Sequence, residues 1–550
     1  MTTLGVHEEA TTPIAEILRA VGAERSSAEC IVGPGDFSLD WATFIDRVER
    51  VAHLFQNHGL GCTTERSDLA EGTSGQDHLA ILSPNTPACL ELMAGAFAAR
   101  VVPININHRF TDDELVDVLS FADVTAIAVD TRFAESLNHV LDRLPNIRLV
   151  VEVTDDGMPR IETAIDYERS LDCVTIDAPL PVPSGDDLYI LLTGGTTGRP
   201  RGVMWRNADA VVECFDAARH PQHVSEFVAN IRPELRVLSA APFMHGAGQW
   251  MAFRALLAGG TVVLTDVCDS FNANDTLNTA AHHKATLLGI VGESFARPLI
   301  HAIESGAKVP DSVNVVLTGG APLSQSTKER LLELLPTIII VDGFGSSETG
   351  GQMSIVSTRG NASSGTFRPR QGQTFVVDDS CTQVISESNS EVGWLATCGR
   401  LPLGYLNDQV KTEQVFRTID GVRFAIPGDH ARLRYDGSIE ALGREAVCIN
   451  TGGEKVFAEE VEDAVLRHRA VRDCIIVGRP SPTWGSEVVA VISLNHSGVA
   501  APTAEELSRG MPHLARFKHP KCVIVQDEIC RSPAGKADYT WARHVAMSVR

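Results

Sequence analysis

One segment carries a concentration of chemistry. Thr193-Gly194-Gly195-Thr196-Thr197-Gly198-Arg199-Pro200-Arg201-Gly202-Val203 directly follows the apolar run LYILLT. Its glycines let the backbone come close to a ligand and turn N–H groups inward. Three threonine hydroxyls and two arginines add donors and positive charge. That combination suits a polyphosphate. It is not the GxxxxGK[ST] signature of P-loop NTPases, because it holds no Gly-Lys pair. Taken alone, it also reads as a polar turn between a strand and a helix.

Four further segments follow in order. Thr318-Gly319-Gly320-Ala321-Pro322-Leu323 comes after the strand-like NVVL, and Gly343-Phe344-Gly345-Ser346-Ser347-Glu348-Thr349 after TIIIV. Gly428-Asp429 precedes a stretch ending in Gly443-Arg444. Ser532-Pro533-Ala534-Gly535-Lys536 lies near the C-terminal end.

The elements that must position these residues are short β-rich runs alternating with longer amphipathic stretches. They include AILS (80–83), VVPI (101–104), AIAV (126–129), RLVVEV (148–153), VVLT (262–265), NVVLT (314–318) and TIIIV (337–341). This alternation predicts an α/β architecture with largely parallel sheets. After about residue 425 the pattern changes. A helix is expected over 458–469, with Val461, Ala464, Val465 and His468 on one buried stripe. The runs 474–478 and 488–494 follow as strands, so the end of the chain reads as a small α+β domain.

At 550 residues the chain is too long for one ordinary core. Its 44% apolar and 21% charged content is globular. A net charge of −23 disfavours nucleic acid and anionic membranes as partners, so an anionic ligand needs a local site working against the global field. Twelve cysteines contain no CxxC pair, which argues against zinc ribbons and thioredoxin-like chemistry. The first residues do not form a signal peptide pattern. The longest apolar stretch, 88–104, is interrupted by Glu91 and Arg100. A cytoplasmic protein with reduced thiols is the expectation.

Taken together, the five ordered segments resemble the adenylate-forming superfamily of acyl-CoA synthetases, luciferase-like enzymes and peptide-synthetase adenylation domains, over about residues 40–545. Within it, TGGTTG followed by VMWR, APFMHGAGQW, DGFGSSETG and VCINTGGEKVF look most like actinobacterial synthetases for long-chain and steroid side-chain acids. The resemblance implies a large N-terminal domain of mixed sheets flanked by helices (1–443), a hinge (444–447, with Glu445 and Ala446) and a small mobile α+β domain (448–550). Thr193, Gly194, Gly195, Thr196, Thr197, Gly198 and Arg201 would wrap the phosphates of ATP. Gly320, Ala321 and Pro322 would pack beside the adenine, and Asp342, Gly343, Phe344, Gly345, Ser346 and Ser347 would continue that wall. Glu348, with Thr196, would hold Mg²⁺. Asp429 would bind the ribose of ATP or AMP, with Arg444 close by. Lys536 would act at the forming acyl-phosphate bond. His245, in a position that also suits a packed core histidine, would lie beside the carboxylate and the acyl pocket. Gly246, Gly248, Gln249 and Trp250 would line that pocket, the glycines leaving room for a bulky acid. Gly452, Gly453, Glu454 and Lys455 would lie beside the pantetheine arm of coenzyme A.

The implied activity is ATP-dependent ligation of a fatty, steroid or other polycyclic acid to coenzyme A through an acyl-AMP. Two departures stand out. Arg201 replaces the usual lysine, and arginine and lysine are not interchangeable at a fitted phosphate site. Ala446 replaces the usual Asp or Lys of the hinge. Arg201 leaves open a second reading, an enzyme impaired in adenylation that converts acyl-AMP made by a separate partner enzyme. A non-catalytic nucleotide-binding protein is a third, against which Glu348, Asp429 and Lys536 are all present. A peptide-synthetase domain is disfavoured because the acyl segment has no Asp for an amino-acid ammonium. A homodimer is compatible with this size and family.

Overall fold

The computed structural model describes residues 11–549, apart from 194–200, 218–222, 269, 364, 386–390, 445–446, 452–453, 482–484, 496–499, 513, 515 and 533–534. Each apolar run read from the sequence lies in or on a strand. One sheet of five parallel strands has the order Val102–Asn105, His78–Leu82, Val124–Asp130, Leu149–Val153, Ile165–Asp166. His78–Leu82 is buried at every position, as a parallel strand covered on both faces requires.

A second, larger sheet has Ser38–Asp40 at its edge, antiparallel to Glu29–Val32, followed by a parallel block: Glu29–Val32, Thr261–Val263, Arg236–Ser239, Leu287–Ile290, Val315–Gly319 and Ile339–Ser346. It then turns antiparallel at Gly350–Ser357 and runs on through Thr366–Pro369, Ile439–Arg444, Asp429–Leu433, Gly393–Cys398, Val422–Ala425 and Phe416–Ile419. The parallel expectation therefore holds for the front of this sheet and fails for its back.

The helix Pro87–Ala98 shows how the helices are packed. Thr86 caps it by accepting from Cys89 N, and Pro87 opens it. Residues 88–98 are all buried, so it has no solvent face. Gly95 lets it approach the helix Trp41–Asn57, since a Cβ there would meet Val51 Cγ1 at 2.3 Å. Glu91, the charge that interrupts this apolar stretch, is paired with Arg47 Nε at 2.8 Å and accepts a hydrogen bond from Tyr167 OH at 2.7 Å.

The small C-terminal α+β domain is built on a long hairpin, Val471–Ser481 with Gly485–Leu494, joined in parallel by Cys522–Val525. Alternate residues feed two cores. Ile476, Val488, Ala490 and Ile492 pack with the helix Ala458–Leu466, while Ile475, Val477, Val489 and Val491 pack with Tyr539–Ser548. Val461, Ala464 and Val465 are buried as expected. The helix stops at Leu466, however, and His468 N closes a turn onto Val465 O at 3.0 Å. His468 therefore leaves the stripe. Among the described residues, no helix is long and apolar enough to cross a membrane.

Candidate functional site

The segment expected to hold phosphates joins two antiparallel strands, Leu188–Thr193 and Arg201–Arg206, rather than a strand and a helix. Thr193 and Arg201 face each other across its base, and Thr193 Oγ1 donates to Arg201 O at 3.5 Å. Gly194, Gly195, Thr196, Thr197 and Gly198 lie outside the described residues. Gly404–Tyr405 pairs as a third strand and brings Tyr405 beside Arg201. The Arg201 guanidinium lies 6.0 Å from the Tyr405 ring centroid, and its Nε is 3.8 Å from Asp408 Oδ2.

Tyr405 also reaches Glu348, donating its hydroxyl to Oε1 at 2.8 Å. The turn holding Glu348 is secured from the other side by the fully buried Trp205, whose Nε1 donates to Ser347 O at 2.8 Å. Within the turn, Glu348 N donates to Ser346 Oγ at 3.2 Å and Ser346 N to Thr349 Oγ1 at 3.1 Å. The residues Gly343, Phe344, Gly345 and Ser346, which read as a loop after a strand, belong to the strand Ile339–Ser346 itself. Gly345 is obligatory there, because a Cβ would fall 2.1 Å from Gly350 O. Phe344 packs edge-on against Phe367 at 5.6 Å. The carboxylate of Asp342 turns inward to the buried Lys328, whose Nζ is 2.6 Å from Oδ2. Burial raises the Asp342 carboxyl while that ammonium opposes the rise.

Gly320, with φ +78°, ends the neighbouring strand Val315–Gly319. Ala321 and Pro322 then fold against the start of the helix Gly292–Glu304. Glu293 N donates to Pro322 O at 3.2 Å, and Gly292 N to Thr318 Oγ1 at 3.1 Å. Asp429 is buried at the head of its strand and pairs in register with Arg444, directly after Gly428 (φ +101°).

His245 precedes the helix Gly246–Leu257. Its Nε2 is buried and has no hydrogen-bond partner among the described residues. Burial, aided by the charges of Lys536, His108 and Arg109, pushes its pKa down to about 4, so the ring is neutral at physiological pH. Beside it opens a cleft lined by Asn85, His108, Arg109, Met244, Cys268 and Phe271. In the acyl segment, Gly246 would place a Cβ 3.4 Å from the Trp250 ring, an ordinary contact. Gly248 does not leave room for a ligand. A Cβ on it would lie 2.4 Å from Pro242 O and 2.7 Å from Ala241 O, so it is a packing glycine. Gln249 is occupied internally, donating to Phe243 O and accepting from Tyr189 OH, both at 2.7 Å.

Lys536 comes from the C-terminal domain yet acts electrostatically on His245 of the N-terminal one. Its loop is closed by Ser532 N to Lys536 O at 2.8 Å and Lys536 N to Ser532 Oγ at 3.2 Å. The hinge residues Glu445 and Ala446 and the turn residues Gly452 and Gly453 lie outside the described residues. Glu454 and Lys455 start the second strand of a hairpin, Cys448–Thr451 with Glu454–Phe457, rather than leading straight into a helix. Tyr405 and His108 have no local signature in the sequence, and Trp205, part of the VMWR segment, carries no assigned role there. Only long-range contacts bring them to the site.

Two family models match this chain: "AMP-binding enzyme" over residues 18–395 and "AMP-binding enzyme C-terminal domain" over 460–536. The chain is 41% identical over 540 residues to the medium-chain acyl-CoA ligase Mig of Mycobacterium avium, covering 97% of this chain and 98% of that protein. It is 34% identical to the 3-oxocholest-4-en-26-oate–CoA ligase of Rhodococcus rhodochrous, covering 92% and 91%. Among solved structures, an anthranilate CoA ligase bound to anthranoyl-AMP superimposes with a TM-score of 0.82 at 17% identity, covering 98% of both chains. That last likeness concerns the fold. Family models spanning both domains and full-length relatives above 30% identity agree with the ordered motifs, and the chain belongs to the AMP-binding, adenylate-forming enzymes.

Proposed function

We propose that this chain is an AMP-forming acyl-CoA ligase for medium- or long-chain fatty acids or steroid acids. The observation that carries the reading is the seating of Gly535, the residue before Lys536, against Ser294 on the helix Gly292–Glu304 of the other domain, in a family that forms adenylates. In the first half-reaction a carboxylate oxygen attacks the α-phosphorus of ATP, forming the acyl–phosphate bond while pyrophosphate departs. Lys536 offsets the charge gathering on the phosphate oxygens, and Arg201 supports the phosphate segment from its base. The neutral His245 contacts the incoming carboxylate without adding a competing ion pair. In the second half-reaction the CoA sulfur attacks the acyl carbonyl carbon, its proton goes to solvent, and AMP leaves. The cleft holding His108 and Arg109 offers CoA, an anionic ligand, a route in.

Among the described residues no cluster of three His, Cys, Asp or Glu side chains forms a metal cage. Magnesium does not need one, since it keeps several waters and takes one or two carboxylates plus phosphate oxygens. A single oriented carboxylate, Glu348, fits that demand. Glu348, with Thr196, would hold the ion, which would supply positive charge to offset the negative charge of the phosphates. Between half-reactions the domain after the 444–447 hinge rotates, withdrawing Lys536 and bringing in the 452–455 turn.

The test separates the halves. A panel of fatty, aromatic and steroid acids is incubated with ATP and Mg²⁺, and pyrophosphate and acyl-AMP are followed. Synthetic acyl-AMP plus CoA is assayed in parallel for thioester. Both activities on one acid support the complete ligase. Thioester formation without adenylation for every acid accepted would support the impaired-adenylation reading instead, and neither activity would refute both.

A further inference from the structure

The adenine-side corner and the Lys536 loop are linked by an unbroken run of polar contacts that crosses between the domains. On the N-terminal side, the buried carboxylate of Glu293 accepts from Ser324 N at 2.8 Å and Thr327 Oγ1 at 2.9 Å, just beyond Pro322. One helical turn on, Arg297 pairs with the same carboxylate. Its Nη1 crosses to the C-terminal domain and donates to the carbonyl of Arg472. The next residue, Asp473, receives both arms of Arg531 at 2.7 and 2.8 Å. Arg531 in turn donates to Gly535 O at 3.2 Å, one residue before Lys536. Gly535 itself sits on the N-terminal turn of the Arg297 helix, so closely that a Cβ would fall 2.1 Å from Ser294 Oγ.

We propose that Arg297 is a positioning residue of the first half-reaction: it latches the C-terminal domain to the nucleotide corner in the orientation that delivers Lys536, and releases it for the second. The proposal rests on the ligase reading above. Glu293 holds the guanidinium ready, so little side-chain freedom is lost when the second domain docks. The bond to Arg472 O is charge-assisted, directional and made to a backbone atom, which suits a contact that must form and break in every cycle. Glu293 also grips the segment following Pro322, so order imposed by a nucleotide on that corner is transmitted to the latch. Arg531 and Asp473 carry the placement onward to the loop. Arg297 acts through this chain and not on the reacting atoms.

The test uses the full-length protein, its Arg297→Ala and Arg297→Lys variants, and dodecanoate as the acid. Pyrophosphate release with ATP and Mg²⁺ reports the first half-reaction, and thioester from synthetic dodecanoyl-AMP and CoA reports the second. Arg297→Ala is expected to lower kcat for pyrophosphate release by about tenfold to a hundredfold, the worth of one hydrogen bond to a charged group. The KM for dodecanoate should change little, and thioester formation should keep its wild-type rate. Arg297→Lys should recover part of the loss, because an ammonium can still donate to the carbonyl. Undiminished pyrophosphate release in Arg297→Ala overturns the proposal. So does an equal loss in both half-reactions, in either variant, because a merely structural role would affect both alike. If wild type releases pyrophosphate with no acid of the panel, the ligase reading has failed, and the latch with it.

Discussion

Glu462 offers a test of the C-terminal domain that needs no substrate. It lies on the helix Ala458–Leu466 and is buried, with Oε1 accepting from Ile476 N at 2.9 Å and Oε2 from Tyr539 OH at 3.3 Å. Burial pushes its pKa up from 4.5 to about 7, against the opposing pull of those donors and of Arg531. Between these values the folded chain holds a proton that the unfolded chain has released. Stability therefore falls as pH rises: the contribution is complete below about pH 4.5 and is lost through about pH 7. The gap is worth on the order of 3 kcal/mol. Glu462→Gln keeps a carbonyl for Ile476 N and presents its amide to the Tyr539 oxygen, while removing the titration. In a domain of this size the difference corresponds to a melting shift on the order of 10 °C. Melting followed from pH 5 to pH 8 should show the wild type losing stability relative to the variant, with the two closest at pH 5. Parallel profiles would refute the argument. Tyr539 lies three residues past Lys536, at the start of the helix that Asp538 caps, so the same titration bears on the loop that holds Lys536.

Lys536→Ala should reduce pyrophosphate release by at least about a hundredfold, as removal of a preorganised charge does, and spare thioester formation from acyl-AMP. An equal loss in both would contradict the assignment of this residue to the first step. Tyr405→Phe removes the hydroxyl from Glu348 and should slow adenylation about tenfold while raising the magnesium concentration needed for half-maximal rate. An unchanged magnesium dependence would show that Tyr405 does not orient this carboxylate. Gly248→Ala forces a methyl group against the carbonyls of Ala241 and Pro242 and should cost about 1–3 kcal/mol of stability. A variant that melts with the wild type would show that the helix gives way without penalty.

The parts of the fold that were readable in the sequence are those fixed by burial on two faces. The runs 80–83, 126–129 and 188–193 are mostly apolar because the strands carrying them are largely buried, and they fall where expected. The run 337–341 was read too short. The strand continues through Gly343-Phe344-Gly345-Ser346, whose composition is that of a loop, because its partner Gly350–Ser357 closes a hairpin on it. The glycine at 345 answers to the Gly350 carbonyl, a contact invisible to any local pattern. The acidic helix before residue 467 shows the same limit. Charge suggests a solvated face, yet Glu462 faces the hairpin core while its neighbours Glu459 and Glu460 begin the helix. At the site, motif residues could be placed in order along the chain. The residues that orient them could not, since Tyr405, Trp205 and Arg297 reach across 57, 142 and 175 residues of sequence.

Arg201 is where sequence and structure bear most directly on each other. Read alone, an arginine in place of lysine raises doubt about adenylation, because a planar fork does not fit where a compact ammonium did. In the fold the residue stands opposite Thr193 at the base of a hairpin, with its guanidinium near both the carboxylate of Asp408 and the face of Tyr405. A fork can face an acid and a ring at once, and a guanidinium gives up its hydration more readily than an ammonium, so arginine suits this place. The ring it approaches is the one whose hydroxyl holds Glu348. The substitution thus touches the support of the Glu348 turn, in contacts that run from Arg201 through Tyr405 to Glu348. An enzyme relieved of adenylation would have no use for this connection. The arginine therefore fits a complete ligase better than one dependent on adenylates made elsewhere.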